Sequence, residues 1–95
     1  MSFESITKEI ISLLKRKTAD YGNSYDRLRQ EFGPTCFYIR LFDKLYRLQQ
    51  VDKNGHQVNE SAKDTLQDIV GYCLLELCYR EKEGIVNEAN SDKTI

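Results

Sequence analysis

This chain has no tryptophan, one proline and one histidine. Its three cysteines, Cys36, Cys73 and Cys78, form no CxxC pair and have no histidine near them in sequence. Zinc-site spacings and a disulfide framework are therefore excluded, and the cysteines read as buried thiols of a reducing compartment. His56 stands alone in a polar loop, so neither a Ser-His-Asp nor a Cys-His arrangement can be drawn and no catalytic residue is expected. There is no phosphate-binding glycine loop. No apolar run approaches the length of a bilayer span, and Met1-Ser2-Phe3-Glu4 has no basic stretch leading into an apolar core. Neither a membrane partner nor a secretory signal is expected, and the expected location is the cytoplasm. One sign of charge is not in excess either: the formal net charge is -1. A partner in duplex DNA or RNA normally demands a surplus of Lys and Arg, whereas a local basic pocket for a small phosphorylated ligand does not.

What remains is helical periodicity. A first helix is expected over residues 3–17, capped by Ser2, with Ile6, Ile10, Leu13 and Leu14 as its apolar stripe and Lys15, Arg16 and Lys17 at the dipole-favoured end. Asp20-Tyr21-Gly22-Asn23-Ser24 reads as a turn. Ser24 is expected to cap a short helix carrying Tyr25, Leu28 and Phe32, which Gly33-Pro34 stops. A central helix follows over residues 34–50. Phe37, Tyr38, Ile39, Leu41, Phe42, Leu45, Tyr46 and Leu48 leave it apolar on most sides, so neighbours should enclose it. After a polar loop over residues 52–57 built around an Asn54-Gly55 turn, a last helix starts near Asn59 or Ser61, runs to about Glu83 and carries Ala62, Leu66, Ile69, Cys73 and Leu77 as its apolar face. No segment reads as a strand. The expected fold is all-α: a small bundle of three to four helices, one domain over residues 1–83 with a flexible tail over 84–95. A chain of 95 residues buries a modest fraction of its surface, so a homo-oligomer, dimer or tetramer, is expected to complete the core.

The chemistry lies in two charged rows. Arg40, Asp43, Lys44 and Arg47 share one face of the otherwise apolar central helix, and Glu60, Asp64 and Asp68 recur every four residues on the last one. The acidic stripe runs on into Gly71, Leu75 and Cys78, which is not the pattern of a solvated face. Charges on a buried helix must pair, bind metal or bind a ligand. Arg40, Lys44 and Arg47 suit phosphate. Tyr21 and Tyr25 suit a nucleobase, because every base has a π-face, and Asp20 can accept from a base amine. Asp64 and Asp68 can orient the basic groups or accept from base amines. Two other outcomes remain open: Glu60, Asp64 and Asp68 as ligands to Mg²⁺, or charged rows that merely pair in a structural helical oligomer.

Three ordered blocks carry a resemblance: Asp20-Tyr21-Gly22-Asn23-Ser24; Ile39-Arg40-Leu41 with Asp43-Lys44 and Arg47-Leu48; and Val58-Asn59-Glu60-Ser61 with Asp64-Thr65-Leu66, Asp68-Ile69 and Tyr72. The sequence resembles the nucleotide modification associated domain 1 family, small proteins common in phages and prophages, over about residues 7–80. That family looks distantly like the all-α nucleoside triphosphate pyrophosphohydrolases of the MazG type, which take metal ligands from a Glu-Glu-x-x-Glu cluster on one helix and a Glu-x-x-Asp pair on another. The first helix here offers only Glu4 and Glu9. The resemblance therefore implies two functions. One is a phage sponge that sequesters a cyclic nucleotide immune signal in the host cytoplasm, evading cyclic-oligonucleotide-based (CBASS) defence without hydrolysis or cofactor. Arg40, Lys44 and Arg47 would hold phosphate and Tyr21 and Tyr25 the bases, especially if doubled across a symmetric interface. The alternative is a Mg²⁺-dependent pyrophosphohydrolase.

Overall fold

The structure is a computed structural model that describes residues 2–54 and 62–85. It is all-α, with four helices and no strand among the described residues: α1 Phe3–Tyr21, α2 Ser24–Phe32, α3 Thr35–Asn54 and α4 Ala62–Glu83. The expected caps Asn59 and Ser61, the acidic Glu60 and residues 86–95 of the expected tail lie outside the described residues.

Local chemistry accounts for the helix ends. Ser2 caps α1 through a reciprocal box: its hydroxyl accepts from the Ser5 amide at 3.1 Å, and the Ser5 hydroxyl accepts from the Ser2 amide at 3.2 Å. The helix runs past the expected stop at residue 17, because nothing before Gly22 breaks it. Gly22 ends it at φ +66° with its N–H on the Thr18 carbonyl, 2.8 Å away. Asn23, rather than Ser24, takes the cap position of α2, and Ser24 is its first helical residue. Gly33, at φ +74°, closes α2 onto the Arg29 carbonyl. Pro34 has no N–H, but its carbonyl accepts from Phe37 and Tyr38 as α3 begins. At its far end α3 takes in Asp52, Lys53 and Asn54, read from sequence as loop.

The helix at the centre is α4, not α3. Along its length α4 meets α1 through Asp68 and Gly71, α3 through Asp68 and Tyr72, and α2 through Glu76. The expectation that α3 is enclosed on most sides fails in the single chain. Val51 is buried and Leu41, Lys44 and Leu48 are half-buried, while Tyr38, Ile39, Phe42, Leu45 and Tyr46 face solvent. On α4 the stripe of Asp68, Gly71 and Leu75 turns inward, in keeping with its make-up, while Ile69 and Cys73 of the expected apolar face are half-buried and Leu66 and Leu77 are exposed. Among the described residues the buried apolar side chains are few: Ile10, Tyr25, Val51 and Tyr79. The Cα radius of gyration is 15.0 Å, against about 12 Å for a compact chain of this length. No helix is long and apolar enough to cross a membrane among the described residues.

Candidate functional site

Where α1, α2, α3 and α4 meet, they leave a cavity of about 380 Å³, a volume toward the small end of ligand pockets. Apolar side chains from α1 and α2, Ile10, Leu13, Leu14 and Leu28, line one part of it. Its polar part comes from different helices: Lys17 from α1, Arg40 and Lys44 from α3, and Asp68 and Tyr72 from α4. Tyr21, Gly22 and Ser24, at the α1–α2 joint, form a rim, and Tyr21 is 69% exposed.

Asp68 organises the charges. One carboxylate oxygen accepts from Lys17 Nζ at 3.1 Å and the other from Lys44 Nζ at 2.9 Å. Burial works to raise the Asp68 pKa, but the two ammonium groups outweigh it and hold the carboxyl below its usual value. Arg40 lies with its guanidinium carbon 5.5 Å from the Tyr72 ring centre, and donates from Nη1 to the Tyr72 hydroxyl at 3.3 Å. Tyr72 in turn lies beside Tyr25, ring centres 6.4 Å apart and planes 34° from parallel. The charged row is thus paired, yet it borders an opening rather than a sealed interface.

A second cluster fixes the aromatic wall from behind. Glu76 receives a two-pronged contact from Arg29, Nε to Oε1 at 2.9 Å and Nη2 to Oε2 at 3.0 Å. The Tyr25 hydroxyl donates to Oε1 at 2.7 Å, and Arg80 donates to Oε2 from one turn further along α4. The Arg29 guanidinium also lies over the Tyr79 ring, 4.8 Å from its centre. Arg29 and Glu76 are both buried, at 6% and 4% exposure. Burial alone would raise the Glu76 pKa, but the bonds from Arg29, Arg80 and Tyr25 dominate and bring it down to about 2. Burial and the adjoining carboxylate push the Tyr25 phenol well above its ordinary value. Tyr25 is therefore a neutral, anchored ring among the residues that line the cavity.

The structure brings together Tyr21, Tyr25, Arg40, Lys44 and Asp68 of the sequence-expected residues. Arg47 is not among the lining residues; it pairs with Asp43 one turn back, at 3.3 Å on the exposed side of α3. Asp20 and Asp64 are exposed and also lie off the cavity. Lys17, read from sequence as a complement to the helix dipole, proves to be a lining residue, as does Tyr72. The Arg29–Glu76 pair escaped the sequence reading, although a signal existed. Glu76 is the only charge between Asp68 and Arg80, and an isolated acid in such a run needs a buried partner. The cysteines are free; Cys36 and Cys73 are half-buried, but Cys78 is exposed rather than buried as expected. Among the described residues no group of three or more His, Cys, Asp and Glu side chains is placed to hold a metal ion.

Residues 17–79 match the model of a family described as nucleotide modification associated domain 1. That stretch includes every charged and aromatic residue of the cavity just described. No curated protein and no solved structure matches the chain.

Proposed function

The chain belongs to the nucleotide modification associated domain 1 family, and on that premise we propose that the four-helix cavity binds a nucleotide and sequesters it without hydrolysis. The ligand we propose is a cyclic nucleotide of the kind used as an antiviral signal, withheld by a phage protein acting in the cytoplasm of its bacterial host. One observation carries the reading. Three cations, Lys17, Arg40 and Lys44, and three tyrosines, Tyr21, Tyr25 and Tyr72, line the same cavity, which combines a phosphate site with faces for a base. In this reading phosphate takes the lysines from Asp68, and the released carboxylate accepts from a base amino group. The volume suits one nucleotide unit, so the second unit of a cyclic dinucleotide projects past Tyr21 at the rim.

The competing reading, a Mg²⁺-dependent nucleoside triphosphate pyrophosphohydrolase, needs Asp64 and Asp68 as ligands with Glu60. The described donors fit Mg²⁺ poorly. Asp64 lies off the cavity, and among the described residues no group of three or more acids converges there with Asp68, whereas the ion calls for convergent oxygen ligands.

Calorimetry with cyclic mono- and dinucleotides, in chelator and then in Mg²⁺, decides between these readings, with chromatography of the ligand recovered after heating the complex. Tight binding in chelator and recovery of intact ligand are expected. Loss of the Arg40 contact should weaken binding by roughly 10- to 100-fold in Arg40→Ala, since a charge-assisted bond is worth about 1.5–3 kcal/mol. Cleavage of nucleoside triphosphates in Mg²⁺, abolished by Asp64→Ala, would replace the sponge with the hydrolase. Failure to bind either class would leave a structural helical oligomer.

A further inference from the structure

The face of α3 opposite the cavity poses a separate question. At about 100° per residue, Arg40, Lys44 and Val51 point into the bundle, and Tyr38, Ile39, Phe42, Leu45 and Tyr46 form a stripe on the other side of the same helix. These five side chains are 47%, 62%, 53%, 37% and 63% exposed. Phe42 and Tyr46 are already stacked on each other, ring centres 6.5 Å apart and planes 22° from parallel. With aromatic side chains carrying about 150–250 Å² each, the stripe presents on the order of 600 Å² of apolar surface, against about 800 Å² per partner in a standard stable interface.

The stripe is also symmetric in sequence. Three residues either side of Phe42 stand the aliphatic residues Ile39 and Leu45, and four either side stand the tyrosines Tyr38 and Tyr46. A two-fold interface uses the same patch twice and must be complementary to itself. A helix face that reads the same in both directions meets that condition when two copies cross antiparallel. The stripe carries no charge. The nearest ionic groups, Asp43 and Arg47, flank it and pair with each other.

We infer that a second copy of this chain covers the outer face of α3, with the two α3 helices antiparallel and the two-fold axis at Phe42. Tyr38 then lies against the partner's Tyr46, and Ile39 against the partner's Leu45. The contact supplies the enclosure that the apolar pattern of α3 demands and the lone chain lacks. The inference is independent of the nucleotide reading, because the stripe and the cavity lie on opposite sides of α3.

Sedimentation or light scattering across a concentration series tests it. The native chain should run at an even multiple of 11.1 kDa. Tyr38→Lys combined with Tyr46→Glu places opposite charges across the axis and should keep the assembly. Tyr38→Lys combined with Tyr46→Lys places like charges there and should weaken it roughly 100-fold, since like-charge contacts cost several kcal/mol, while circular dichroism still reports helix. Leu66→Lys, on the outer face of α4, should leave the mass unchanged. A monomeric native chain at tens of micromolar overturns the inference. So does equal behaviour of the two double variants, or loss of the assembly in Leu66→Lys alone.

Discussion

Replacing Glu76 by Gln keeps the shape of the side chain and removes its charge. Arg29 then remains in the interior, 6% exposed, facing a neutral amide in place of a carboxylate that meets it at 2.9 and 3.0 Å. Two routes give the size of the loss. Breaking one side of a buried pair costs about 3–5 kcal/mol because the survivor is left uncompensated. Independently, lowering the Glu76 pKa from 4.5 to about 2 corresponds to roughly 3 kcal/mol of stability at neutral pH, at about 1.4 kcal/mol per unit. The expected cost is therefore about 3 kcal/mol, a large share of the roughly 5–15 kcal/mol that holds a domain together. In a chain of this size each kcal/mol moves the melting point by about 4–8 °C. Because the folded pKa is depressed, this stability is fully present above the unfolded value of 4.5 and is lost as pH falls through about 2. Urea titrations followed by far-ultraviolet circular dichroism, repeated from neutral pH to about pH 2, should show the native chain losing this contribution across that window and Glu76→Gln lacking it throughout. Asp43→Asn removes an ion pair that is half in solvent and should change stability by less than about 0.5 kcal/mol. Arg29→Leu combined with Glu76→Leu should recover much of the loss, since an apolar replacement of a whole buried pair is often neutral or better. A cost in Glu76→Gln below about 1 kcal/mol would refute the reasoning, because the fork would then be incidental to the fold.

Two further outcomes follow from the cavity. Asp68→Asn removes the carboxylate that occupies Lys17 and Lys44 and should tighten binding of inorganic pyrophosphate by about tenfold, measured by calorimetry; weaker binding would mean that Asp68 aligns the lysines rather than competing with phosphate. Gly71→Ala should raise stability by about 0.5–1 kcal/mol, as alanine does within a helix, because its methyl meets only Leu14, at an ordinary 3.8 Å. The same methyl narrows the cavity, so nucleotide affinity should fall while the urea midpoint rises.

The helices were legible because their signals are local. Ser2, Gly22 and Gly33 act through bonds within a few residues of themselves, and the apolar spacing needs one chain segment at a time. The site was legible in part for the same reason. Arg40 and Lys44 are conspicuous charges on an apolar helix, and Tyr21 and Tyr25 flank a turn. Periodicity alone could not separate Arg47 from them. All three share a row, but Asp43 is within reach of Arg47 one turn back. Nor does the sequence reveal that Lys17 meets Asp68, 51 positions along the chain, or that Arg29 rather than Phe32 turns inward from α2. Those are properties of how helices cross. The outer stripe of α3, and Leu66 and Leu77 of α4, were read as covered for a related reason: a stripe rich in apolar residues signals burial without saying which molecule supplies the cover.

The opposed sides of α3 carry a consequence for the binding isotherm. If copies join through the aromatic stripe, their cavities sit back to back and open away from each other. A single ring-shaped guest then cannot bridge the pair through that contact. Within such a pair each subunit fills on its own, saturation arrives at one guest per chain, and the titration curve is hyperbolic.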